Sequence, residues 1–358
     1  MEPFAYVIIL FQIGVVTLIA WATGSGAMFT HPAWRAKVWV LYHLSCTWSI
    51  LADNYYRNKQ KVIDCSEKTG CVAVVTGGGR GLGYHVVRGL VERGMHVVVG
   101  VRNPEDYKDM GEVFRKEGLK GSVEAMTLDT ASMQSVRDFA SAVCTKYPAI
   151  HVLVNNAGQI FGEYEETEDG FEYKLAANYL GHFLLTHCLV DSLQRGGRDR
   201  GEYSRVVNLS SCVHGIAGAI QLTDINMTQC YSRLGAYGHS KLALLMFSRH
   251  LNRLLSSRSL PIRSSALHPG VVASNMAQDW KDSYLPFITW LFKSEKEGAL
   301  SVLYCALDRA IESGADFISN MRETCTTTAS KDVDQQRGLF ELTCKMLDIK
   351  SFGGKADN

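Results

Sequence analysis

The sequence predicts an α/β protein: a doubly wound parallel sheet, preceded by an N-terminal membrane helix. Three observations predict it. Residues Pro3–Phe29 carry no charged side chain. From residue 70 onward, short continuous apolar runs alternate with helical patterns. The first of those runs ends in a glycine cluster, and a helical pattern follows at once. Continuous apolar strands separated by helices mean a parallel sheet covered on both faces.

The membrane helix comes first. Phe4–Thr23 is an uncharged core of 20 residues, and about 20 residues span a bilayer core as a helix. Tyr6 and Trp21 lie near its ends, where amphipathic rings favour the interface. A cleaved signal peptide would want a positive start and a shorter apolar stretch, and Glu2 is the one early charged side chain. Residues 1–30 therefore read as a retained transmembrane anchor. Arg35, Lys37, Arg57, Lys59 and Lys61 follow it and place the main domain on the cytosolic side. Residues 31–68 form a juxtamembrane segment. Its Val38–Ala52 stretch is apolar-rich but contains His43. It reads as an interfacial helix, with re-entry or a second crossing as the alternatives.

Composition narrows the class. The chain has 358 residues, 46% hydrophobic and 20% charged, which excludes a disordered or low-complexity protein. Lys and Arg total 37 against 36 for Asp and Glu, so no basic field exists to attract nucleic acid. Ten cysteines occur without a CxxC or a Cys/His cluster at zinc spacing, and no metal site is expected. Cys71, Cys144, Cys188 and Cys305 sit in apolar runs and read as buried, reduced thiols, which suits a cytosolic domain. Asn208 and Asn226 match the glycosylation pattern, but Asn208 lies inside a strand-like run.

Six runs read as strands: Cys71–Val75, His96–Val101, Val123–Leu128, His151–Val154, Arg205–Leu209 and Ile262–Leu267. Helical patterns such as Tyr84–Arg93 and Ala236–Leu255 lie between them. With no repeat or linker after residue 70, residues 69–350 read as one catalytic domain and 351–358 as a flexible tail.

The glycine cluster is Thr76-Gly77-Gly78-Gly79-Arg80-Gly81-Leu82-Gly83. Between a strand and a helix, it has the context of the Rossmann dinucleotide fingerprint. Glycines let the backbone turn tightly and approach a pyrophosphate, which rests on the helix N-terminus. Folds of this kind that prefer NAD carry an acid about 20 residues further on, at the end of the second strand. Here that place holds Arg102 and no acid. Arg102, assisted by Arg80, suits a 2′-phosphate. The expected cofactor is NADP(H), with NAD(H) as the alternative.

Tyr237-Gly238-His239-Ser240-Lys241 opens a long apolar-striped helix. Residues four apart share a helix face. An ammonium beside a phenol favours phenolate, which makes Tyr237 a candidate acid/base. That pattern alone says little, since many helices contain it. Its company says more: Asn155-Asn156-Ala157-Gly158 after strand four, Asn178 in the following helix, Ser210-Ser211 after strand five, and Pro269-Gly270-Val271-Val272-Ala273-Ser274 after strand six.

With these five motifs in this order, the chain resembles the short-chain dehydrogenase/reductase family over roughly residues 70–350. The resemblance implies a seven-stranded sheet in the order 3-2-1-4-5-6-7. It implies Tyr237 as catalytic acid/base and Lys241 as the residue that lowers its pKa. Ser211 positions the substrate oxygen, and Asn178 supports a proton relay. Gly77, Gly79, Arg80, Gly81, Leu82 and Gly83 would hold the cofactor phosphates. Asp129 would contact adenine, and Asn155, Ala157 and Gly158 the cofactor-side turn. Pro269, Gly270, Val272 and Ser274 would contact nicotinamide and phosphate, with Tyr237 and Lys241 on its ribose. The family also suggests a homodimer through the helices carrying Asn178 and Tyr237.

Met276–Phe292 is rich in aromatic and aliphatic side chains and occupies the region that covers substrate in this family. It reads equally as a lipid-facing lid or a core helix. The segment Tyr179–Leu185, the insert before Tyr237 and the residues around Trp290 resemble the retinol-dehydrogenase-like branch. That likeness implies a hydrophobic isoprenoid substrate: polyprenol to polyprenal and dolichal to dolichol, in dolichol synthesis. Retinol, retinal or another lipid aldehyde is the alternative. It also implies a membrane location at the endoplasmic reticulum, lipid droplets or both. A non-catalytic binding protein on the same fold is the rival from another class, opposed by the complete set Asn178, Ser211, Tyr237 and Lys241.

Overall fold

Val, Ile and Ala fill the apolar runs, and β-branched side chains pack well in strands buried on both faces. The computed structural model describes residues 32–59, 61–216, 218–229, 231–273, 290–311 and 314–353. Seven strands, β1 (Val72–Thr76), β2 (His96–Val101), β3 (Ser122–Thr127), β4 (Val152–Asn155), β5 (Ser204–Leu209), β6 (Ile262–His268) and β7 (Phe317–Ser319), run parallel in the order 3-2-1-4-5-6-7. The six expected strands each fall within one residue of those observed. A two-residue β8 (Arg322–Glu323) adds an antiparallel edge beyond the expected seven. Its hairpin turns at Asn320 and Met321, both with positive φ, the geometry of a tight primed turn.

Helices cover both faces. Labelling Pro32–Tyr56 as α1, the others are α2 (Gly81–Glu92), α3 (Met110–Lys116), α4 (Met133–Lys146), α5 (Gly181–Arg200), α6 (Arg233–Ser257), α7 (Glu295–Leu307) and α8 (Val333–Met346). On one face α4, α5 and α6 bury Val136, Phe183, Leu184 and Phe247 against Val74, Leu153 and Val206. On the other, α2 and α7 bury Val87, Leu90 and Val302 against Val75, Val97 and Val154. Each such side chain contributes about 1.5–3 kcal/mol relative to exposure. The start of α7 is fixed by a capping box, in which Ser294 and Glu297 each satisfy the other's backbone N–H.

α1 is the element that the sequence reading placed elsewhere. The segment read as interfacial docks one face on the catalytic domain. Val38, Tyr42, Cys46, Ser49, Ile50 and Asp53 are buried, a spacing of three and four that makes one helical stripe. The opposite face leaves Trp48 74% exposed and Tyr55 uncovered. Among the described residues, no helix is long and apolar enough to cross a membrane. The expected anchor, residues 1–30, lies outside the described residues.

α8 and the residues after it extend the core beside α5 and α6. Phe340 of α8 and Phe352 pack on Phe183 and Phe247, with ring centroids 5.1 Å apart for both Phe183 pairs. Nine described cysteines are free thiols, with Cys71 and Cys305 buried and Cys144 and Cys188 half-buried. Asn208 is fully buried in β5 and donates to Ser264, so it offers no surface for a glycan.

Candidate active site

The carboxyl ends of β1, β2 and β4 open onto a groove of about 690 Å³. The glycine loop forms its floor. Gly77 and Gly81 have φ of +65° and +60°, which only glycine adopts without strain. Gly83 is required for a different reason: a Cβ there would lie 2.3 Å from the Gly77 carbonyl oxygen. The first turn of α2 follows, with backbone N–H groups free of helical partners and suited to an anion. Arg80 and Leu82 line the groove beside it. Gly83→Ala is expected to raise the dinucleotide Kd about 10-fold or more, because the loop must shift. Cofactor fluorescence titration checks this.

At one end of the groove, Arg102 and Asp129 converge on Tyr173. Burial raises the Tyr173 pKa, Asp129 adds to the rise, and Arg102 opposes it. Asp129 accepts from the Ala131 N–H at 2.9 Å, which fixes its carboxylate. Ala157 and Gly158 line the opposite wall. Asn155, expected on the cofactor-side turn, does not face the groove. It is fully buried, and its amide donates to Asn208 at 2.8 Å and Thr186 at 3.2 Å, tying β4 to β5 and α5. The next residue, Asn156, reaches the groove and donates to the carbonyls of Thr76 and Gly77 at 2.8 and 3.1 Å. Sequence reasoning named the wrong member of the Asn-Asn pair. Alternation along a strand could have found it, since neighbouring residues face opposite ways.

Deeper in, Gly158 connects the groove to the catalytic set. A Cβ on it would lie 3.3 Å from both Asn178 Oδ1 and Lys241 Nζ. Asn178 sits in a π-helical turn, Ala176–Leu180, that precedes α5. Such turns often mark functional sites. Its side chain accepts from the Gln159 N–H at 2.7 Å and donates to the Gln159 carbonyl and to Ser240, both at 2.9 Å. Its carbonyl pairs with His182 Nδ1 at 3.0 Å.

α6 presents Tyr237 and Lys241 one turn apart. Lys241 Nζ donates to the Leu209 carbonyl at 2.9 Å and lies 5.7 Å from the Tyr237 ring centroid. Burial lowers the Lys241 pKa to about 8. Burial pushes the Tyr237 phenol up, while the neighbouring Ser211 hydroxyl pulls it the other way. Ser210 instead donates to the Lys241 carbonyl at 2.8 Å and is spent on structure. So Ser211, not Ser210, stands beside Tyr237.

The Pro269–Val272 loop follows β6. Gly270 has a φ of +101°, and a Cβ there would lie 2.6 Å from the Lys293 side chain. Val272 is buried and forms a parallel bridge with Lys293. Ser274, and the expected lid up to residue 289, lie outside the described residues. α1 closes this side: Val38, Tyr42 and Cys46 pack with Ile160, Val213, Ile216 and Tyr237, leaving Tyr237 7% exposed. Cys46 also lies beside Cys212, the neighbour of Ser211, close enough for each thiol to shift the other's pKa. No motif announced this roof, because an apolar helical stripe looks the same whether it meets lipid or protein.

A groove with a glycine floor, flanked by Ser211, Tyr237, Lys241 and Asn178, is the site of a nicotinamide-dependent oxidoreductase acting on CH–OH groups. The chain belongs to the short-chain dehydrogenase/reductase family: the short chain dehydrogenase profile matches residues 71–285. Within it, the chain lies in the retinol-dehydrogenase-like branch, near polyprenol dehydrogenase. It is 37% identical to polyprenol dehydrogenase of Danio rerio over 84% of this chain and 94% of that one. It is 33% identical to retinol dehydrogenase 12 of Mus musculus over 78% of this chain and 87% of that one. A crystal structure of an uncharacterised protein from Mycobacterium paratuberculosis superposes with a TM-score of 0.63 at 32% identity, covering 80% and 96% of the two chains. The Pseudomonas aeruginosa RhlG/NADP complex shares the fold, with a TM-score of 0.56 at 24% identity over 71% and 96%.

Proposed function

We propose that the chain is a membrane-anchored oxidoreductase of isoprenoid alcohols and aldehydes that uses NADP(H). Oxidation of polyprenol to polyprenal and reduction of dolichal to dolichol are the reactions it fits best. The likeness to polyprenol dehydrogenases over most of the chain carries this reading. The apolar roof of Val38, Tyr42 and Ile160 over the catalytic Tyr suits a lipid chain.

The residues fit a nicotinamide dinucleotide: Gly77, Gly79, Gly81 and Gly83 line the groove, and the loop closes on the start of α2 only because Gly83 has no Cβ to strike the Gly77 carbonyl. When bound, the nicotinamide supplies or accepts the hydride. The rest of the chemistry belongs to the protein. In reduction, charge builds on the carbonyl oxygen, and Ser211 and Tyr237 are placed to donate to it. Tyr237, kept protonated by burial, then gives its proton to that oxygen. Lys241, titrating near 8, and Asn178 stand behind it to return a proton. The roof excludes water, which strengthens each of these interactions. Alcohol oxidation runs the steps backward.

Arg102 is the basis for the phosphorylated cofactor. It lines the groove at the end of β2, where an acid would favour NAD. Arg102→Ala is expected to raise KM for NADP(H) about 10- to 100-fold, as the loss of a charge-assisted hydrogen bond implies. KM for NAD(H) should change little. Steady-state kinetics with both cofactors check it.

The uncharged run that precedes α1 supports a membrane location at the endoplasmic reticulum or lipid droplets, with the catalytic domain facing the cytosol. Alkaline extraction and protease protection of the full chain test this. Release by alkali, or a protected catalytic domain, would remove it. A second substrate reading, retinal, rests on the likeness to retinol dehydrogenase 12. Assay of the detergent-solubilised chain with polyprenol, dolichal and retinal, each with NAD(H) and NADP(H), separates the two. A preference for polyprenol or dolichal supports the proposal, and a retinal preference overturns its substrate.

A further inference from the structure

α1 does more than roof the site. Its C-terminal half carries a carboxylate, Asp53, that is 1% exposed inside an otherwise apolar stretch. A charge so buried requires strong partners. Asp53 has them, from the loop after β6, from α1 itself and from the residue before the α7 cap. Oδ2 accepts from the Val271 N–H at 2.9 Å and from Ser49 at 3.4 Å. Oδ1 faces Lys293 Nζ at 3.2 Å, and Lys293 is itself 1% exposed.

Lys293 extends the link. It donates to the Pro269 carbonyl at 3.3 Å and to Asn320 Oδ1 at 2.7 Å, in the β7–β8 turn. Its backbone pairs with the loop on both sides, donating to Val271 at 2.9 Å and accepting from Ala273 at 2.9 Å. One turn earlier in α1, Ser49 bonds His268 at 2.8 Å, at the end of β6. α1 therefore grips residues 268–271 at two points. Gly270, with its positive φ, lets the backbone pass close to this pair: a Cβ there would lie 2.8 Å from Asp53 Oδ2 and 2.6 Å from Lys293.

We propose that Asp53 is a positioning residue for the nicotinamide half of the cofactor. It acts through the Val271 N–H and Lys293, and makes α1 a working part of the catalytic domain. This rests on the cofactor reading of the groove. The adenosine half would be held by the glycine loop, Arg102 and Asp129, none of which touches α1 among the contacts above.

That separation supplies the test. Asp53→Ala removes the acceptor of the Val271 N–H. Asp53→Ala/Lys293→Met also removes the stranded ammonium, and keeps the test valid if the single variant does not fold. Binding of NADPH and of adenosine 2′,5′-bisphosphate, a fragment without nicotinamide, is measured on the detergent-solubilised full chain, with kcat alongside. The expected result is a Kd for NADPH raised about 10-fold and a lower kcat, as a loop displaced by about an ångström implies, with fragment binding unchanged. A merely structural role would weaken both ligands together or neither, and either outcome overturns the proposal. A wild-type chain that binds neither ligand would remove the cofactor reading, and the proposal with it.

Discussion

Tyr237→Phe is expected to lower kcat by about 10²- to 10⁴-fold, the usual contribution of a positioned acid/base. Dinucleotide binding should survive. The substitution removes one oxygen and leaves the ring packed against Val38, Tyr42 and Ile216. Ser211, the hydroxyl beside the phenol, is 8% exposed and keeps a contact with the Val213 N–H. Stability should therefore move by no more than about 1 kcal/mol, the net worth of a single hydrogen bond. Turnover and cofactor titration on the same preparation check both halves. Undiminished turnover would defeat the assignment of Tyr237.

Lys241→Met should divide activity from stability even more sharply. In the folded chain burial lowers the Lys241 pKa from 10.5 to about 8. Below pH 8 the folded protein carries a buried charge that costs about 3 kcal/mol, at 1.36 kcal/mol per unit. Between pH 8 and 10.5 the unfolded chain still holds this proton while the folded chain has released it. Wild-type stability from this group therefore rises with pH across that window. The methionine variant lacks the penalty at pH 7 but leaves the Leu209 carbonyl without its donor, at a cost of about 1–3 kcal/mol. The two nearly cancel. The melting temperature should hold or rise slightly, while kcat/KM falls about 100-fold as the proton path behind Tyr237 is cut. Calorimetry at pH 7 and pH 10, with turnover at pH 7, reads both. A parallel loss of stability and activity would mean that Lys241 is structural.

The strands were legible because Val-rich runs buried on both faces leave a local signature, and β2 was read to the residue. β8 and the short β7 were not, since two or three residues at a sheet edge carry no periodicity. The candidate site residues were legible for another reason. Ser211, Tyr237 and Lys241 sit beside strand ends and helix starts, so their spacing records the fold. Asn155 misled because its chemistry suits a ligand as well as a buried crosslink, and only the three-dimensional neighbours Asn208 and Thr186 decide between them. α1 misled most. Its hydrophobic stripe was plain, but the surface it meets, residues 160, 213, 216 and 237, is distant in sequence. The one local hint was Asp53, a lone carboxylate following Ile50-Leu51-Ala52. A charge on the buried side of an apolar helix marks a fixed partner, and Lys293 lies 240 positions away.

The central claim is that this site moves hydride between a nicotinamide and an isoprenoid carbonyl carbon. The direct measurement is label transfer. The full chain in detergent is supplied with NADPH carrying deuterium at C4 and with dolichal, and the product alcohol is analysed by mass spectrometry. The account predicts one deuterium on the carbinol carbon with wild-type protein, and none above background with Tyr237→Phe. Tight NADPH binding without label in dolichol, in polyprenol made from polyprenal or in retinol made from retinal would contradict it, and would point to a binding protein on a catalytic fold.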